Sequence, residues 1–275
     1  MGCTMTDIRD TTSHKAPAGS PDSRGASVIL NAIQVMRCFS VETPLLGVTE
    51  IASRVGLHKS TVSRILATLE QEDLVERDSS TRRFKLGLGL IAVTGPLLAD
   101  LDVRRAAYPV LQDLTERTGE TAALMVWNGN QSVCVEQIAS PQQVKHTTPL
   151  GTRYNTALSS SVQIFLAQAG FEAARGMISD GTVILPDTAP AALDAYATRL
   201  REVSAEGLAV NYGETSAEEV GVAAPVFDHR GDLAGCVMLA APRFRISQEV
   251  LNSLTKACKR AASDVTVRLG GPSGA

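Results

Sequence analysis

Cysteine is scarce in this sequence and poorly placed for cross-links. The five residues, Cys3, Cys38, Cys134, Cys236 and Cys258, are odd in number and widely spaced, and none forms a C-x-x-C pair. That argues against a disulfide framework and against a zinc site. The four histidines, His14, His58, His146 and His229, are scattered, so no metal cluster is expected. Nothing in the residue pattern calls for a cofactor. No apolar run approaches the ~20 residues that a membrane-spanning helix needs. The N-terminus lacks an apolar core followed by a small-residue cleavage site. A cytoplasmic protein with no membrane partner is expected. Positive charge is not in excess either: Lys and Arg number 26 against 29 Asp and Glu, a net charge of −3. Binding to a polyanion would have to come from a local basic face rather than from bulk charge.

At 275 residues, with 44% hydrophobic composition, the chain suits two domains with packed cores. Residues 1–25 are rich in Thr, Ser, Pro and Gly and read as a disordered, solvated tail. From Ser27 onward, Val28, Ile29, Ala32, Ile33, Val35, Met36 and Phe39 form a broad apolar face on a first helix. That face is expected to pack beneath the segment that follows.

The stretch from Val48 to Leu69, VTEIASRVGLHKSTVSRILATL, reads as two short helices joined by a tight turn. Thr49 is the expected N-cap of the first, with Glu50 in its first turn, where a negative charge suits the helix dipole. Gly56 ends that helix, because glycine takes the left-handed conformation a C-terminus often requires. In the second helix Val62, Ile65, Leu66 and Leu69 recur at i, i+3, i+4 and i+7, a buried stripe. Lys59, Ser60, Thr61, Ser63, Arg64 and Thr68 are left outward: two cations and several hydroxyls, with no carboxylate. A helix that enters the DNA major groove needs this set, cations for phosphates and guanine edges and hydroxyls for phosphates and bases.

Leu74 to Arg77 reads as a strand, Asp78 to Thr81 as a turn, and Arg82 to Leu86 as the returning strand. This is the wing of a winged helix-turn-helix. Arg82, Arg83 and Lys85 lie between Ser79 and Leu86 with no acid among them, and join Thr49, Lys59, Ser60, Thr61, Ser63 and Arg64 as candidate DNA contacts. Residues 26–86 are taken as this domain and 87–101 as a linker helix, with a kink or break expected at Gly95-Pro96.

A second domain, residues 102–270, alternates helices and strands. A helix from Val103 to Thr118 precedes strands Thr121 to Trp127 and Ser132 to Ile138, joined by a two-residue hairpin turn at Asn128-Gly129-Asn130. Val144 to Thr148 reads as a third strand. Helices follow over 159–169, 171–179 and 191–206, then strands over 209–212, 220–227 and 233–240, and a final helix over about 247–268. Strands paired by hairpins and interleaved with helices give an α+β domain with one antiparallel sheet. The serine run Ser159-Ser160-Ser161 is not read as a nucleophile: there is no G-x-S-x-G elbow, and serines at a helix start are commonly caps. No catalytic residue is assigned. The alternative class is a metabolite-sensing module that acts through a protein partner, which the basic wing and helix argue against.

The order of elements and several motifs resemble the IclR family of bacterial transcription regulators. The winged-helix stretch VTEIASRVGLHKSTVSRILATLEQEDLVERD carries most of the resemblance, with Leu150-Gly151-Thr152-Arg153, VAAPVFDHRGDLAG and Ala240-Ala241-Pro242 adding to it. The resemblance covers about Ser27 to Leu269. It implies an N-terminal winged helix-turn-helix and a C-terminal effector-binding domain of GAF-like fold. It also implies double-stranded DNA with a palindromic operator as partner, a repressor's role, a homodimer or a dimer of dimers, and a small-molecule effector that changes DNA affinity. The leucine-rich stretch from Leu86 to Leu101 and the first helix are the expected dimer contacts. The family's effector positions correspond here to Ser159, Ser160 and Ser161 at a helix start, Asn211 in place of an acid, Gly221, and Met238 and Ala240 in place of serines. Met125 and Trp127 are candidates for the same wall. This set predicts one polar end, suited to an anionic head group, and one apolar wall. An aromatic or similarly apolar carboxylate is therefore expected.

Overall fold

A computed structural model describes residues 21–40, 43–100 and 102–272. Residues 1–20 of the stretch read as a tail lie outside the described residues. Backbone contacts divide the chain into two units between Pro96 and Leu97.

The first unit holds α1 (Pro21–Met36), α2 (Val48–Val55), α3 (Lys59–Gln71) and a two-stranded antiparallel wing, β1 (Val75–Arg77) and β2 (Phe84–Leu86). Its core joins Val35 and Phe39 to Ile51, to the predicted stripe of α3 (Val62, Ile65, Leu66, Leu69) and to Phe84 of the wing. Gly56 takes φ 67°, the left-handed value that the tight turn after α2 requires. Three expectations change. The first helix begins at Pro21, inside the stretch read as tail. Val28 and Ile29 are about 60% exposed rather than packed, as is their neighbour Leu30; the core is met further along α1, by Ala32, Val35 and Met36. Thr49 is not the N-cap of α2: that position is Gly47, whose N–H donates to the Glu50 carboxylate at 2.7 Å. One feature had no local signal. Leu46 exchanges two backbone hydrogen bonds with Phe84 (2.9 and 2.8 Å), adding a bridge to the wing. The helix α4 (Gly89–Asp100) runs through Gly95-Pro96 without the break expected there.

The second unit begins with α5 (Asp102–Thr118) and builds a six-stranded antiparallel sheet from β3 (Thr121–Trp127), β4 (Ser132–Ile138), β5 (Arg153–Tyr154), β6 (Ala209–Tyr212), β7 (Glu219–Phe227) and β8 (Leu233–Pro242). The strand order is β5-β4-β3-β8-β7-β6. Side chains alternate along each strand, so the sheet serves two cores. Leu124, Val222, Val237 and Leu239 pack against α5 and α9 (Gln248–Arg268). Met125, Cys134, Cys236 and Met238 face α6 (Ser160–Ala169), and α7 (Phe171–Ser179) and α8 (Pro190–Glu206) pack outside it. The antiparallel α+β domain expected from the sequence is borne out.

Two local expectations are corrected. Val144 to Thr148 is not a strand. Its backbone is held by side chains instead of a ladder: Thr121 Oγ1 donates to the His146 carbonyl (2.6 Å), Arg245 donates to the Val144 carbonyl (2.7 Å), and the Thr148 N–H donates to Gln137 Oε1. The strand beside β4 is β5, only two residues long. The β3–β4 turn spans Asn128 to Gln131, because the Asn128 carboxamide oxygen accepts from both the Asn130 and Gln131 N–H groups (3.2 and 2.9 Å) and holds a wider loop.

Candidate DNA-binding face and effector cavity

Around α3 the outward set is as the periodicity implies. Lys59, Ser60, Ser63, Arg64 and Thr68 are exposed and Thr61 is half-buried. Not all of it is equally available. His58 caps the helix: its Nδ1 accepts from the Ser60 N–H (3.4 Å) and lies 2.8 Å from the Ser60 hydroxyl. Thr68 donates back to the Arg64 carbonyl. Lys59, Thr61, Ser63 and Arg64 keep polar groups without a protein partner among the described residues. Thr49 is exposed in the first turn of α2 and does not cap its helix.

The wing is a charge-ordered structure. Its turn is built on Asp78, whose carboxylate oxygen accepts from the hydroxyls of Ser80 (2.6 Å) and Thr81 (2.8 Å) and from the Thr81 N–H (2.7 Å). These donors, the Ser80 hydroxyl foremost, hold the Asp78 carboxyl well below the usual carboxylate range. Arg82 stands just after this turn in a left-handed backbone conformation, φ 58°. The other two predicted wing cations are engaged. Arg83 pairs with Glu50 at 3.0 Å and donates to the Leu45 carbonyl at 3.3 Å. Lys85 pairs across the ladder with Glu76 at 3.2 Å. The segment is free of acids in sequence but not in space, because its partners come from α2 and from the facing strand.

In the second unit a cavity of about 290 Å³ opens at the start of α6. Ser159, Ser160, Asn211, Gly221 and Met238, all expected from the sequence, line it. So do Arg153, Tyr154, Asn155, Thr156, Thr215 and Glu219, which were not assigned to it. Ser159 is the N-cap residue of α6, yet no side chain caps the helix, so the first-turn N–H groups keep their donor capacity. Gly221 keeps this contact close: a Cβ at that position would stand 2.9 Å from Ser160 Oγ, so any larger residue would have to push the Ser160 hydroxyl aside. Asn211 has its carboxamide taken up by its own turn, accepting from the Glu214 N–H at 2.9 Å and donating to Thr215 Oγ1. Burial holds the Tyr154 phenol above its usual value; the Thr148 hydrogen bond opposes this and the Glu219 charge adds to it.

Four predicted effector residues do not line this cavity. Ser161 is fully buried, 2.9 Å from the Ser132 hydroxyl, and ties α6 to β4. Met125 and Ala240 are core residues of the sheet. Trp127 stacks on Phe165, centroids 5.2 Å apart. The apolar wall is therefore narrower than expected, made of Met238, the bare backbone at Gly221 and the Tyr154 ring, and the rest of the lining is polar. Arg153 had a signal in the Gly-Thr-Arg motif just before the serine run. Glu219 had none, since Glu214, Glu218 and Glu219 look alike in sequence.

A winged helix followed by an antiparallel-sheet domain with a polar cavity defines a ligand-responsive transcription regulator. The chain belongs to the IclR family: the family's helix-turn-helix domain matches residues 28–79, and the bacterial transcriptional regulator IclR C-terminal domain matches residues 96–267. Its relatives include the HTH-type transcriptional regulator KipR of Bacillus subtilis, 28% identical over 88% of this chain and 96% of KipR. A crystallised domain of an IclR-family regulator is 58% identical, covering 62% of this chain and 99% of its own, with a TM-score of 0.61. An IclR homologue from Microbacterium hydrocarbonoxydans, crystallised with 4-hydroxybenzoate, shares the fold at 21% identity, TM-score 0.73, over 88% of this chain and 98% of its own.

Proposed function

We propose that this chain is a cytoplasmic repressor that binds a palindromic operator as a homodimer, or as a dimer of dimers, and whose operator affinity responds to an organic carboxylate with a flat, ring-like body. The observation that carries the proposal is the cavity at the uncapped start of α6. Helix N–H groups and the hydroxyls of Ser159 and Ser160 offer donors to an anion, and Met238, Gly221 and Tyr154 offer a flat surface to a ring. At about 290 Å³ the cavity stands at the small end of ligand sites, roughly 300–1,000 Å³. DNA is read by α3 through Arg64, with Lys59, Thr61 and Ser63 beside it and Thr49 and Arg82 on phosphates. One recognition helix reads few base pairs, so a two-fold dimer and an inverted repeat are required for specificity. Val28, Ile29 and Leu30 of α1 and Leu88, Ile91 and Val93 of the linker region are exposed apolar side chains that a second copy would cover.

Fluorescence anisotropy with the DNA upstream of the chain's own gene tests this reading, with and without benzoate and 4-hydroxybenzoate, the acid held by the Microbacterium homologue. Specific binding that the acids shift is the expected result. A protein that binds this DNA no better than a scrambled duplex, or a monomer by light scattering on and off DNA, would overturn it.

A further inference from the structure

Two opposite charges share the effector cavity without meeting. Glu219 opens β7 and is half-buried; Arg153 opens β5 and is exposed at the cavity's edge. Neither forms an ion pair with any described residue, nor do they pair with each other within 4 Å. Elsewhere in this unit the acids withdrawn from water have partners: Glu120 pairs with Arg245, Glu136 with Arg104 and Glu214 with Arg199, and the half-buried Asp228 carboxylate accepts from the Arg230 and Asp232 N–H groups. A carboxylate half removed from water with no partner loses hydration and gains nothing in return. Its backbone is nevertheless fixed on both sides. The Glu219 N–H donates to the Ser216 carbonyl (3.1 Å), its carbonyl accepts from the Gly213 N–H (2.9 Å), and the neighbouring Glu218 carbonyl accepts from the Arg243 N–H (2.7 Å). An acid whose backbone is fixed and whose carboxylate is unpartnered in a ligand cavity is placed for a group that arrives with the ligand.

We infer that the effector is an ammonium-bearing carboxylate, its carboxylate taken at the α6 start and by Arg153, and its ammonium group taken by Glu219. This rests on the carboxylate reading above and narrows it: a plain aromatic acid would leave Glu219 buried further and still unpaired. It also makes Glu219 the residue that sets specificity, because a ligand that covers this half-buried acid without pairing it removes its remaining water and gains nothing in return.

The test is isothermal titration of the full-length protein with benzoate, 4-hydroxybenzoate, 4-(aminomethyl)benzoate and phenylalanine, the last two presenting an ammonium at two different spacings. At least one ammonium acid should bind about tenfold more tightly than benzoate, and Glu219→Gln should erase that margin while leaving benzoate binding equal or stronger. Benzoate binding as well as both ammonium acids to the unaltered protein overturns the inference and leaves the carboxylate reading standing. A preference that survives Glu219→Gln in a variant with an unchanged melting curve also overturns it. If none of the four acids binds, the carboxylate reading falls and this inference with it. The comparison of ligands on the unaltered chain needs no variant, so a misfolded Glu219→Gln cannot hide the result.

Discussion

The two units treat charge in opposite ways at the surfaces assigned to binding. In the wing, Arg77, Arg83 and Lys85 are each paired with an acid, and Arg82 alone of its cations has no ion-pair partner among the described residues. In the second unit no ion-paired residue lines the cavity, while Arg153 and Glu219 on its lining are left without ion-pair partners among the described residues. The wing pairs are half-exposed, so each contributes little stability; what they do is occupy the wing's cations with acids of α2, α3 and the facing strand. The unpartnered charges fix nothing in the protein. A difference of that kind separates groups that build a surface from groups that meet something else on it.

The contrast is broken most severely by removing a paired acid. Glu120→Ala strands Arg245, which donates to both Glu120 oxygens and to the Val144 carbonyl. Because both side chains are largely buried, a loss of about 3 kcal/mol is expected, read by chemical denaturation. Glu219→Ala, which removes an unpaired acid, should stay within roughly 0.5 kcal/mol. Equal losses in the two variants would abolish the distinction between building and waiting charges.

The next effect is on DNA. Arg64→Ala should cost about 1–3 kcal/mol of operator affinity and relax the preference at one base position, measured by anisotropy over a panel of single-base variants. A wild-type footprint and affinity in Arg64→Ala would remove α3 from the interface. Smaller again is the comparison of two neighbours on the wing. Arg82→Ala should weaken binding to all sequences and lower the slope of log affinity against log salt by about 0.9. Arg83→Ala should change that slope less, because its guanidinium is already held by Glu50 and Leu45. A larger slope change for Arg83 would show that the pair opens on DNA.

How far the chain was readable follows the same division. The α3 stripe, the wing strands and the order of β3, β4, α6 and β6–β8 follow from periods of 3.6 and 2 and from Gly, Pro and Asn at turns, all of them local. The pairing of Arg83 with Glu50 joins residues 33 apart, and no local pattern encodes it. Half of the cavity could be seen, because the serine run and the Gly-Thr-Arg motif mark one side. Its other side depends on how β6 and β7 are brought against α6: Gly221 was placed by resemblance and Glu219 was not. Ser161 turned inward because neighbouring positions on a helix start point different ways, whereas Met125 and Ala240 share a sheet face with Met238 and are buried in the core all the same. The first helix misled for a related reason. An apolar face says that something covers it, not that the covering is within the same chain.

The smallest expected effect concerns Asp78, and it tests whether the wing turn is held by charge or by shape. Its carboxyl lies below the ordinary value because two hydroxyls and the adjacent N–H groups donate to the ionised form. A depressed carboxyl contributes stability that is fully present above the ordinary aspartate value, about 3.9, and is lost as pH falls through the lower folded value. Unfolding in that acid window takes up a proton at Asp78 that the folded wing does not hold. Asp78→Asn keeps an acceptor for the N–H groups but has no proton to take up. The acid limb of its unfolding midpoint should be shallower than that of the unaltered protein by at most about one proton, with near-coincident curves in their pH dependence above pH ~5. Identical acid limbs in the two proteins would mean that the turn is held by its backbone alone, and that the wing's charges order nothing.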